Sequence, residues 1–217
     1  MNFRKLLTLL LITLPLSAFA QQPPAADLAA EIVSLKQAWA LANYRSTDDD
    51  QKVKALEALV PRAQELETRF PGRPEPRIWE GILWSSHAGA KGGLGALGSA
   101  KKARALLEQA LMQDERALDG SGLTTLGALY ARVPGFPIGF GDKKKARALF
   151  EKAIAVNPDG IDPNYWYGDF LASQGQAAQA RDYLQKALRA VPNPLQPVAD
   201  QGRRGEITAL LAKLAER

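Results

Sequence analysis

Only one histidine, His87, and no cysteine occur in the 217 residues of this chain. Without a thiol there can be no thiol nucleophile, thiolate metal site or disulfide. No serine and acid are spaced to make a triad with His87. The conspicuous carboxylates, Asp48 to Asp50, Asp159, Asp162 and Asp169, fall where helix caps and turns need them. The sequence therefore points to no catalytic residue, no metal site and no cofactor. The residues left to recognise something are aromatic: Trp84, Tyr130, Phe136, Phe140, Tyr165 and Trp166, with His87 and Asp169 as polar neighbours. Such a set would build a hydrophobic cleft for a small organic ligand or for a segment of a partner protein. Aromatic residues at helical spacing also simply pack helices together, which suits Trp79, Tyr130 and Tyr167. Phe136 and Phe140 lie outside any helical stripe, in a loop that Pro134 and Pro137 would stiffen.

The elements that must position these residues read as helices. Leu28, Ile32, Leu35, Trp39 and Ala42 recur at three- and four-residue steps, and a second stripe runs from Val53 to Phe70 after the capping acids Asp48 to Asp50. Pro61, inside that second stripe, is expected to kink or split it. A second helix pair starts near Glu75 and resumes at Ser99, across a glycine-rich connection from His87 to Gly98. A phosphate-loop reading of that connection fails, because no strand precedes it and no Gly-Lys-Ser/Thr follows. The third pair runs from Leu123 to Tyr130 and from Asp142 to Val156, and the fourth from Pro163 to Gln174 and from Gln176 to Val191. A last helix, from about Pro197 to Leu214, places Ile207, Leu210, Leu211 and Leu214 on one side, with Arg203, Arg204, Glu206 and Lys213 elsewhere; it is expected to cap the array.

A register repeats through the pairs. Ala103, Leu107 and Ala110 correspond to Ala146, Phe150 and Ala153, and then to Ala180, Leu184 and Ala187; the leading alanines are 43 and 34 residues apart. Gly81, Gly127 and Gly168 stand in the preceding helices, and the closing prolines Pro158 and Pro192 complete the third and fourth copies. Small residues at those points let two helices approach closely while the larger side chain fills the gap beside them. This is the tetratricopeptide signature, which predicts an all-α fold: an α-solenoid of tetratricopeptide-like helix hairpins with a C-terminal capping helix, one domain over residues 27–217. From glycine to leading alanine the fourth pair spans 12 residues, the third 19 and the second 22, so two pairs carry insertions of 7 and 10 residues at one point of the hairpin. Stacking would bring both insertions to a common edge, where repeat proteins build binding faces.

Upstream of the repeats, Arg4 and Lys5, the apolar run from Leu6 to Leu16 and the small residues of Ser17-Ala18-Phe19-Ala20 predict a signal peptide over residues 1–20. The run is well short of the roughly 20 residues a membrane span requires. Residues 21–26 would be a disordered lead, and no membrane span is expected in the mature chain. The absence of cysteine also removes a lipoprotein anchor, so the expected location is a periplasm. Loss of Arg4 and Lys5 would lower the formal charge from +5 to +3, with basic residues spread among glutamates rather than massed, and nucleic acid is not an expected partner. Lys101-Lys102 and Lys143-Lys144-Lys145, at two helix starts, read as solvated faces or as a basic stripe for an acidic partner or anionic ligand.

The strings from Val133 to Asp142 and from Gly160 to Gly168, within the stretch Gly92 to Leu214, resemble the tetratricopeptide T-component proteins associated with TRAP transporters, the TatT-like family. The resemblance implies all-helical periplasmic solenoids that form homo-oligomers and work beside a solute-binding protein and a membrane permease. Many members are lipoproteins, and this chain departs from them in lacking the cysteine. The function expected from residues and resemblance together is binding without catalysis, as an accessory subunit that docks a solute-binding protein. A scaffold for envelope assembly and a small-molecule carrier are the other two readings.

Overall fold

In the computed structural model, which describes residues 25–216, helices follow one another in the order α1 (Ala25–Arg45), α2 (Asp49–Arg69), α3 (Pro74–Lys91), α4 (Leu97–Gln113), α5 (Ala117–Arg132), α6 (Lys143–Val156), α7 (Ile161–Ser173), α8 (Ala177–Leu188) and α9 (Pro197–Ala215), with one 3-10 turn at Leu94–Ala96. The expected signal peptide over residues 1–20 and residues 21–24 of the expected lead lie outside the described residues, whereas Ala25 and Ala26, expected in that lead, open α1. No strand occurs among the described residues. The protein is an all-α solenoid.

Local chemistry accounts for the element ends. The Asp48 carboxylate accepts the Gln51 backbone N–H at 2.7 Å, and the Gln51 side chain accepts the Thr47 N–H in return, so α2 starts with its free donors satisfied. Asp142 does the same for α6, accepting the N–H groups of Lys144 and Lys145 at 2.9 and 3.1 Å. Gly175 adopts a positive φ of 76°, the left-handed conformation that turns α7 into α8 within three residues. Pro61 neither ends nor splits α2. It sits on the exposed side, where the carbonyl it leaves without a donor can face water. The expected His87–Gly98 connection is also much shorter than its glycines imply. Helix α3 continues through Gly89 to Lys91 and α4 begins at Leu97, so most of the 10-residue insertion lengthens two helices. A helix tolerates an isolated glycine at a cost of about 1 kcal/mol.

The repeated register forms the core. Ala103, Leu107 and Ala110, with their counterparts on α6 and α8, are all buried. A Cβ on Gly81 would lie 2.7 Å from Leu107 Cγ, one on Gly127 2.9 Å from Phe150 Cε1, and one on Gly168 2.9 Å from Leu184 Cγ. The same close approach is thus made three times, and it fixes each hairpin.

Odd-numbered helices also pack on one another in sequence, α1 on α3, α3 on α5, α5 on α7 and α7 on α9. Helix α9 then returns to α1, so that five helices form a closed inner ring with α2, α4, α6 and α8 outside it. The closure is specific. Gln37 Nε2 donates to the Leu195 carbonyl at 2.8 Å, Arg45 to Gln201 at 3.1 Å and the Tyr44 hydroxyl to Glu206 at 3.2 Å. Gly202 lies so close to the Tyr44 ring that a Cβ there would approach it to 2.5 Å. The last helix caps α8 and also closes the ring.

Candidate functional site

Inside the ring two cavities, of about 960 and 750 Å³, open from opposite ends and meet at its centre. Lys36, Trp39, Trp79, Thr124, Asp162 and Arg203 line both. Volumes of this size suit a drug-sized ligand or a short peptide segment. Trp39 and Trp79 meet edge to face with ring centroids 6.1 Å apart, and Tyr44 lies 5.9 Å from Trp39. The Trp39 indole N–H donates to Ser86 at 2.9 Å, which fixes that ring.

A charged network faces this aromatic wall. Arg203 donates to Asp162 at 2.7 Å and also to Glu206, and its guanidinium lies 4.4 Å over the Tyr165 ring. Burial by itself would favour a neutral Arg203, but Asp162, Tyr44 and Glu206 outweigh it and push the guanidinium pKa up. For Asp162, burial works to raise the pKa, and the attraction of Arg203 and Lys36 overcomes it, holding the carboxyl below the usual carboxylate range. Burial is also the main reason the Tyr44 hydroxyl is driven far up. The centre of the ring therefore holds a fixed cation and a fixed anion beside two indoles.

The residues expected from sequence to make one aromatic edge are distributed over four places. Trp84 and His87 belong to the packing of α3 on α4: His87 is buried with Nδ1 2.9 Å from the Ser99 hydroxyl, and Lys102 caps the Trp84 ring at 4.2 Å. Their side chains serve the hairpin, because the extra turns of α3 and α4 cover them. Tyr130 and Phe140 pack edge to face at 5.5 Å, with Arg104 lying 4.5 Å over Phe140 and the Tyr130 hydroxyl donating to Glu108 at 2.8 Å. Phe136 stands apart, fully exposed at the loop tip. Tyr165, Trp166 and Asp169 lie toward the ring: Tyr165 is buried under Arg203, Asp169 pairs with Arg132 at 3.0 Å, and Trp166, beneath Arg132 at 4.4 Å, lines the smaller cavity. Of the eight, Trp166 alone reaches a cavity wall.

Both insertions do border that smaller cavity, through Gly92 to Leu94 on one side and Val133 and Pro134 on the other. The central residues were not singled out by the sequence. Arg203 has a readable signal, since it stands four residues before Ile207 on the buried stripe of α9 and not away from it. Lys36, Trp39 and Trp79 have none, because nothing local says which side of α1 or α3 will face a ring interior.

With this geometry the fold is that of a tetratricopeptide-type α-solenoid, bent until its ends meet. A tetratricopeptide-repeat family model matches residues 138–214. The structure is similar to the crystal structure of a thermophilic tetratricopeptide-repeat protein from Thermus thermophilus, with a TM-score of 0.56 and 16% identity, over 88% of this chain and 100% of that one. No curated protein gives a significant match. Among the described residues no helix is long and apolar enough to cross a membrane.

Proposed function

We propose that the protein is an exported tetratricopeptide-type binding scaffold that works in the periplasm as an accessory subunit of a TRAP-type solute transporter. In this reading the ring holds an organic solute or a short segment of the partner, and the docked partner is a solute-binding protein. The observation that carries it is the closed inner ring, whose two cavities converge on Trp39, Trp79 and the Asp162–Arg203 pair while both insertions border one mouth. Indoles supply apolar area, and the fixed ion pair offers one donor and one acceptor to orient a polar group. The transporter role is drawn from the strings Val133 to Asp142 and Gly160 to Gly168. Affinity recovery of partners from a periplasmic extract tests it. A co-purifying solute-binding protein supports the transporter reading; recovery of envelope-assembly factors alone refutes it in favour of the scaffold. A retained organic compound with no protein partner refutes it in favour of the carrier.

A further inference from the structure

On the face where the smaller cavity opens, the α5–α6 loop packs on α4, the helix into which the α3–α4 connector leads. A Cβ on Gly139 would lie 3.5 Å from the Leu97 side chain, and Arg104 of α4 covers Phe140 of the α5–α6 loop. From each connector apolar side chains project into solvent: Leu94 is 74% exposed, Phe136 93% and Ile138 56%. Leu94 also borders the mouth of the smaller cavity, whereas Phe136 and Ile138 line neither cavity, so this rim joins three projecting apolar groups to a cluster of cations.

Six exposed lysines surround these tips: Lys91, Lys101, Lys102, Lys143, Lys144 and Lys145. None forms an ion pair among the described residues. Between Gly81 and Leu107 there is no acidic residue, and in the second connector Asp142 is occupied in capping α6. Three of the lysines fill the first turn of α6, at the positive end of its helix dipole, where cations are disfavoured. Lys143 donates to the Ala131 carbonyl, Lys145 lies over the Tyr130 ring and Lys102 over Trp84, but none of the six has its charge neutralised by a carboxylate. An apposed anionic surface would reverse that penalty.

We propose that this two-connector rim is a contact surface for an anionic phospholipid bilayer, with Leu94, Phe136 and Ile138 entering the headgroup region and the lysines meeting the lipid phosphates. Isolated projecting tips match a bilayer, which accepts single side chains, better than an acidic protein, which would need a complementary pocket for each. Across the cavity mouth the α1–α2 turn presents Asp49 beside Asp50, so the contact is one-sided and the ring meets the bilayer tilted. The inference is independent of the transporter reading.

Sedimentation of the protein with vesicles of phosphatidylglycerol and phosphatidylcholine, against pure phosphatidylcholine, is the test. One variant carries Leu94→Ser, Phe136→Ser and Ile138→Ser, and another Lys143→Gln, Lys144→Gln and Lys145→Gln. All these side chains are exposed, matching circular dichroism checks that both variants fold, and any contribution from residues 1–24 is common to parent and variants. The expected result is partition onto the anionic vesicles only, weakened about tenfold by either variant and by raised salt. Equal partition of parent and variants overturns the proposal, as does absence of binding to anionic vesicles. Loss of an acidic protein partner in the lysine variant, with no vesicle binding, likewise overturns it and assigns the rim to that partner.

Discussion

Replacing Arg203 by methionine asks whether charge holds α9 against the rest of the ring. The guanidinium side chain is 8% exposed and bonds Asp162 at 2.7 Å and Glu206, while these two acids remain 41% and 38% exposed. Removing one partner of a fully buried pair costs about 3–5 kcal/mol, because the other charge is stranded. Here the stranded carboxylates can rehydrate, which brings the loss toward the ~1 kcal/mol of an exposed pair. Stacking over Tyr165 at 4.4 Å and Trp166 at 5.2 Å is also lost. That adds about 1 kcal/mol. The net expectation is a destabilisation of about 2–3 kcal/mol, read from urea unfolding followed by circular dichroism. Hydrogen exchange should locate it. Amides of α9, and of α1 near Gln37 and Tyr44, should lose protection before those of α5 and α6, since Arg203 ties α9 to Asp162 at the start of α7 and the bonds closing the ring join α9 and the loop before it to α1. A loss under about 0.5 kcal/mol would show that Arg203 behaves as a solvated surface group. Unchanged protection of α9 would show that it is held by other means, and either outcome refutes the closure argument.

Packing and burial set further outcomes. Gly127→Ala should destabilise by about 1–3 kcal/mol in the same unfolding assay. Its Cβ meets Phe150, which Tyr167 and Phe170 pin at 5.9 and 5.5 Å. Gly89→Ala, in open space on α3, should instead stabilise by about 0.5–1 kcal/mol. Burial holds the His87 pKa below the ordinary histidine value, against the opposing pull of Glu57. The unfolded chain therefore takes up a proton first as pH drops below about 6.5, and stability should fall from there until the lowered native value is passed. Urea midpoints of His87→Asn should lack that step. Phe136→Ala should leave thermal stability unchanged, whereas Phe140→Ala should lower it by about 1–3 kcal/mol, because Phe140 is packed between Tyr130 and Arg104. The two aromatics of that loop thus separate, although the sequence treats them alike.

The hairpins were legible because their determinants are local. Ala146, Phe150 and Ala153 lie three and four residues apart on one helix face, and Gly127 is the surface they press against. Single glycines and prolines do not mark the element ends: Pro61 sits on the exposed side of α2, and Gly89 lies two residues before the end of the 18-residue α3. The ring could not be read. Its closing bonds join residues 156 to 162 positions apart, and they depend on small rotations accumulating over four hairpins. For the same reason Asp162 reads as a turn residue until α9 brings Arg203 beside it. The aromatic residues do not share one edge because His87 is enclosed where α3 packs on α4, and Tyr130 by Phe140 of the adjoining loop and Glu108 of α4.

The central claim is that recognition takes place inside the ring. Ser121 lines both cavities, so Ser121→Phe would obstruct the junction while leaving both connectors and the outer helices intact. Native mass spectrometry of the protein recovered from its host is the direct measurement, made on parent and variant with matching circular dichroism. The account predicts an added mass, organic compound or peptide segment, on the parent and its loss from the variant. The same added mass on both would contradict it, placing recognition outside the ring.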